Sequence, residues 1–126
     1  MTDTAPNNEN VFYESDKQLS EYAEFHYGDE YYGVANFPKA LASIAIQAMA
    51  NKPAVKALDL GCATGRASFE LAKHFEQVTG IDFSARFINL GVQLREQGAI
   101  RYTLVDEGSL VSYKTRQLSD LGLDDV

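Results

Sequence analysis

Two glycines four residues apart, Gly61 and Gly65, and an acid about 20 residues further on, Asp82, are the residues whose types and spacing could do chemistry. The glycines sit in Leu58-Asp59-Leu60-Gly61-Cys62-Ala63-Thr64-Gly65-Arg66, between an apolar run and a helical pattern. A strand feeding a helix through such a turn aims the helix's first N–H groups at the carboxyl end of the sheet. Glycine at 61 can take positive φ and lets ligand atoms approach the backbone. An acid at the end of the next strand is placed to take both hydroxyls of a ribose. A dinucleotide fingerprint would want glycines where Ala63 and Arg66 stand. Ala63 would crowd a pyrophosphate, so a ligand with ribose and base but no phosphate is the better match.

Around these residues the sequence must supply a strand–helix–strand unit. Residues 55–60 have the length of a buried strand covered on both faces. Residues 66–75 form a helical pattern with Ser68, Leu71, Ala72 and Phe75 on one face, and residues 77–81 a second strand ending at Asp82. Ser84 can cap a helix to about Gln97, with Phe87, Leu90, Gly91 and Leu94 on one stripe and Gly98 closing it.

Upstream, Ser15 and Gln18 have the form of a capping box for a helix over 16–26, with Leu19, Tyr22, Ala23 and His26 on one stripe. Gly28 ends that helix. Asn36 can cap a second helix, with Pro38 in its first turn. Its stripe of Leu41, Ile44, Ala45, Ala48 and Met49 is expected to face the core, and Lys52-Pro53 stops it. Between the helices, residues 27–33 are dense in tyrosine and glycine. They are either a turn packed on the neighbouring helix or a flap whose rings stack on a ligand. Downstream, residues 100–105 have strand propensity, Asp106-Glu107-Gly108 reads as a turn, and residues 113–121 as a short helix closed by Gly122.

Composition excludes several function classes. The 126 residues carry 11 Lys and Arg against 18 Asp and Glu, a net charge of −7, which disfavours contact with a nucleic-acid backbone. No window approaches about 18 consecutive apolar residues, so no membrane span is expected. One cysteine excludes an internal disulfide and fits a reducing cytoplasm; two histidines, His26 and His74, lack metal-ligand spacing, and no metal is expected.

Ala57 to Gly65 resembles the first motif of the Rossmann-like S-adenosylmethionine-dependent methyltransferases, and Gly80-Ile81-Asp82-Phe83-Ser84 resembles their acidic strand end. A narrower resemblance joins Phe12-Tyr13-Glu14, Phe25-His26-Tyr27-Gly28, Asn36-Phe37-Pro38, the two motifs, Ala85-Arg86-Phe87 and Arg101-Tyr102. These look like the C-terminal methyltransferase domain of ovothiol-biosynthesis enzymes, which methylate an imidazole nitrogen of 4-mercaptohistidine. The resemblance implies an α/β Rossmann-like fold with S-adenosylmethionine as cofactor. It implies that Gly61, Cys62 and Ala63 line the methionine and ribose, that Gly65 belongs to the same cofactor-binding turn, that Asp82 holds the ribose hydroxyls, and that Phe83 flanks the adenine. Asp59 would either anchor the methionine ammonium or bond the turn's own amides. Cys62 reads as small and inert, and Arg66 as a solvated helix residue or a ligand contact.

For methyl transfer to a neutral ring nitrogen, alignment matters more than a base, and no residue stands out as a general base. Tyr13, Tyr27, Tyr31 and Tyr32 are the candidates for an aromatic wall around a small-molecule acceptor. The expected organisation is a disordered leader over 1–10, a helical lid over 11–54 and the first half of the methyltransferase domain over 55–126. Such a domain needs more strands than residues 83–126 can hold, so the chain is expected to be an incomplete N-terminal part. Two other functions are compatible: a catalytically silent module that self-associates through its open sheet edge, and a dinucleotide-binding fragment.

Overall fold

The computed structural model describes residues 16–105, 108 and 110–126. The expected leader, Ser15 of the capping box, Tyr13 and the turn residues Asp106 and Glu107 lie outside them.

Among the described residues two helices come first: α1, Asp16–Tyr27, and α2, Phe37–Ala48. The Asn36 side chain caps α2 by accepting from the Lys39 N–H at 3.0 Å. Its amide nitrogen meanwhile donates to the Phe25 and His26 carbonyls at 3.1 and 3.0 Å. One side chain thus starts one helix and satisfies the end of the other.

Strand β1 (Lys56–Leu60), helix α3 (Arg66–Ala72), strand β2 (Gln77–Ile81) and helix α4 (Ala85–Gln97) follow. β1 and β2 are parallel, with Leu60 beside Ile81, so Gly61 and Asp82 emerge together at their carboxyl ends. Ser84 caps α4 by accepting from the Phe87 N–H, and Gly98 ends it at φ 77°. A parallel strand pair joined by a helical crossover, in a mixed α/β chain, makes an incomplete Rossmann-like fold.

Three expectations change. Residues 111–117 are a strand, β4 (Val111–Gln117), antiparallel to β3 (Ala99–Val105), and only Leu118–Leu121 turn, as a 3-10 helix. Val111, Tyr113 and Thr115 alternate with polar residues, which suits a strand, while Gly122 closes the short 3-10 turn. This hairpin forms its own two-stranded sheet and does not extend the parallel one.

The second change concerns α2. Leu41 and Ile44 are exposed, as are Ala45 and Ala48, while Pro38 and Ala42 are buried, with Ile46 and Met49 half-buried beside them. The helix is apolar nearly all round, so periodicity could not choose a face. The third is β1, whose residues alternate between half-buried and exposed. Helices cover the Ala57 side, and Leu58 and Leu60 stand 58% and 73% exposed on the other.

Two apolar clusters hold the elements. Ala42, Ala67, Leu71 and Phe75 join α2 and α3 over Ala57 and Val78 of the parallel pair. Ala23, Tyr27, Leu90, Leu94, Ile100, Tyr102, Leu118 and Leu123 join α1, α4 and the hairpin. A buried polar knot adds to the second cluster. Glu24 accepts from Tyr102 at 2.6 Å, from Arg116 at 3.1 Å and from Tyr31. Burial opposes ionisation of Glu24, but these hydrogen bonds outweigh it and its pKa is lowered. The Glu24 side chain runs over Gly28, where an added Cβ would meet its carboxylate at 1.9 Å. Gly28 is therefore required for more than ending the helix.

Candidate functional site

The Gly61–Gly65 turn is built from its own backbone. The Gly61 and Cys62 N–H groups donate to the Ile81 carbonyl at 2.7 and 3.0 Å, and the Gly65 N–H donates to the Cys62 carbonyl at 2.9 Å. Gly61 and Gly65 take positive φ, 73° and 98°, and Ala63 does so at 47°. At Gly61 nothing stands within 4 Å of where a Cβ would be, so the turn's outer side is open to a ligand.

Asp82 closes the turn. One carboxylate oxygen accepts from the Ala63 N–H and the other from the Ser84 N–H, each at 2.9 Å. A carboxylate has about four lone-pair sites, so each oxygen retains capacity for another donor. Asp82 therefore ties the turn to the start of α4 while remaining able to take ribose hydroxyls. Phe83, beside it, is 65% exposed.

Asp59 does something else. It accepts from the Ser68 hydroxyl of α3 at 2.7 Å, so the turn's amide bond to an acid goes to Asp82 rather than to Asp59. Cys62 is buried, and burial, with Asp59 and Asp82 nearby, pushes its thiol up to about 11. Such a thiol stays protonated and unreactive at neutral pH. Close to it lies Gly80, which the sequence reading placed only as part of a strand end. A Cβ there would sit 2.9 Å from Ser68 Oγ and 3.0 Å from Cys62 Sγ. Gly80→Ala is expected to cost about 1–3 kcal/mol through overpacking, read as a lower denaturation midpoint. An unchanged midpoint would show that the turn can move aside.

The end of α1 grips the turn from its other side. His26 Nδ1 accepts from the Arg66 N–H at 3.2 Å, so a side chain satisfies one of the first orphan amides of α3. That bond requires the neutral ring with its proton on Nε2. Burial, and then the charge of Arg66, lower the His26 pKa to about 4, against a smaller opposing effect of Asp82. Tyr27 donates its hydroxyl to the Thr64 carbonyl at 2.6 Å. Thr64 itself is fully buried, with no hydrogen-bond partner for its hydroxyl among the described residues. Of these contacts the sequence showed only His26 on the inward stripe of its helix.

Two expectations are corrected here. Arg66 is neither solvated nor turned outward: it is 3% exposed, its Nε bonds Glu70 at 3.0 Å and an NH1 proton goes to the His26 carbonyl at 2.8 Å. The three described tyrosines of the expected wall, Tyr27, Tyr31 and Tyr32, do not stand together. Tyr27 is 1% exposed with its hydroxyl committed to the turn, so it is part of the core. Tyr31 is half-exposed, and its bond to Glu24, with burial, pushes its pKa up to about 12. Tyr32 stands fully in solvent in a tight turn with Gly33, both at positive φ.

The open side of the turn thus lies beside a carboxylate at the tip of the neighbouring strand. Among the described residues no group of His, Cys, Asp and Glu could hold a metal ion, and no helix is long and apolar enough to cross a membrane. A family model described as a methyltransferase domain matches residues 51–117, more than half of the chain. No curated protein matches it.

Proposed function

Because the chain belongs to the methyltransferase-domain family, we propose that it carries the cofactor-binding part of an S-adenosylmethionine-dependent enzyme acting on a small molecule. The acceptor we favour is an imidazole nitrogen of 4-mercaptohistidine. The observation that carries the cofactor assignment is Asp82 bound to the Ala63 amide beside the open face of Gly61. The residues present fit that cofactor: Asp82 would take the ribose hydroxyls and Gly61 to Ala63 would lie along the methionine and ribose. Gly65 opens the helix behind them, and Phe83 would flank the adenine. Asp59, already holding Ser68, would reach the methionine ammonium through its remaining lone pairs. When bound, the cofactor supplies an electrophilic methyl group on sulfur. The chain's own contribution is to hold and orient the ligand, and it needs no general base for a neutral ring nitrogen.

The narrower acceptor rests on the sequence resemblance, two of whose segments meet in the fold. Phe25-His26 and Asn36 are joined by the bonds from the Asn36 amide, next to the turn. The single buried thiol supports a cytoplasmic setting.

Calorimetry with S-adenosylhomocysteine tests the site. Asp82→Ala removes the ribose acceptor and releases the Ala63 and Ser84 amides, so affinity is expected to fall by about ten- to hundredfold. Undiminished affinity, or displacement of the ligand by NAD, would sink the assignment. The exposed Leu58 and Leu60 on β1 favour a second reading, a cofactor-binding module without transfer activity of its own. Cofactor binding with no labelled methyl passed to 4-mercaptohistidine would select it.

A further inference from the structure

We propose that the recess between the end of α1 and the start of α2 binds an organic ammonium group. The recess has a volume of about 350 Å³, and Phe25, Tyr31 and Phe37 supply its aromatic surface. The Phe25 and Phe37 rings are nearly parallel, inclined at 22° with centroids 6.3 Å apart. All three are more than half exposed, so their faces are available to a ligand. Tyr31 is held by its hydroxyl bond to Glu24, which fixes the ring before any ligand arrives.

The same recess is ringed by carboxylates. Glu21, Asp29 and Glu30 line it together with Glu24. Arg116 reaches two of the four, Glu24 and Asp29, and Lys17 stands 4.0 Å from Glu21. Negative charge therefore prevails around the aromatic faces. A cation over a ring gains from the ring's quadrupole, and carboxylates beside it add attraction, whereas an anion or a neutral apolar group gains from neither source together. Aromatic faces alone would suit any flat apolar group. Carboxylates alone would suit any cation. Their combination selects a cation with an organic body.

The recess adjoins the cofactor turn through one residue. Phe25 precedes His26, which accepts from the Arg66 N–H at the start of α3. On the methyltransferase reading, on which this assignment depends for its biological role, the bound ammonium is a charged group of the acceptor molecule, separate from the neutral nitrogen that receives the methyl.

The test uses the whole chain with choline as probe and 3,3-dimethyl-1-butanol as its uncharged isostere. Backbone amide resonances of residues 25–37 are followed by NMR while each is added. Choline is expected to shift the Phe25, Tyr31 and Phe37 amides saturably and the isostere to leave them in place. Glu30→Gln and Phe37→Ala, both at exposed positions, are each expected to weaken the choline response by roughly two- to fivefold. No saturable shift, equal shifts from the two probes, or a choline response unaltered in both variants would overturn the proposal. S-adenosylhomocysteine is titrated into the same samples. Loss of the choline response with that binding intact counts against the recess alone, and the reverse counts against the methyltransferase reading alone.

Discussion

Arg66→Ala is expected to destabilise the protein by about 3–5 kcal/mol, a large share of the roughly 5–15 kcal/mol that keeps a domain folded. The guanidinium is almost fully buried, and so is Glu70, its partner at 3.0 Å. Removing one charge leaves the other in a medium that solvates it poorly, and Lys73, 3.9 Å from Glu70, compensates only from the rim. The His26 carbonyl also loses its donor at 2.8 Å. Replacing both partners, Arg66→Met with Glu70→Leu, leaves no uncompensated charge and is expected to recover most of the loss. Urea unfolding of the three proteins decides this. A single variant that loses less than about 1 kcal/mol would mean the pair behaves as a surface salt bridge.

Stability is expected to decline as pH falls from 6.5 to 4, by on the order of 3 kcal/mol from His26 alone. The sign follows from proton counts. In the unfolded chain His26 titrates near 6.5, whereas in the fold burial and Arg66 hold it down to about 4. Between those values the unfolded state binds the extra proton, so acid favours unfolding; above 6.5 the contribution is complete. Protonation would also place a hydrogen on Nδ1, where the Arg66 N–H already points. His26→Asn keeps an acceptor near that position and removes the titration. Denaturation midpoints measured across this range should therefore fall more steeply in the wild type than in the variant. Parallel curves would show that His26 is not the group responsible.

The parallel pair and its turn were legible because local chemistry and fold agree there. Gly61 and Gly65 need positive φ, and Asp82 falls where a parallel register places it, beside the turn. The faces were harder. In α2 two interleaved apolar stripes, Leu41/Ile44/Ala48 and Ala42/Ile46/Met49, offered equal periodicity, and contact with α3 decided between them. In residues 111–117 the two-residue alternation was present, but the glycine at 122 read as a helix end when it closes a single 3-10 turn. The contacts that define the site's rear wall were illegible for another reason. They join residues about 40 positions apart, His26 to Arg66 and Tyr27 to Thr64, through hydrogen bonds that leave no periodic trace.

Those contacts bear on modularity. The match to the methyltransferase-domain family begins at residue 51, and everything before it could be taken for a detachable cover. The last turn of α1 shows otherwise, because it supplies the imidazole and the phenol that seat the glycine turn. A chain begun at residue 51 would keep Gly61, Gly65 and Asp82 and yet leave the Arg66 amide, the Thr64 carbonyl and the Arg66 guanidinium without the partners that α1 provides. The smallest unit able to hold this turn in shape is therefore set by Tyr27 and His26, well upstream of the glycines themselves.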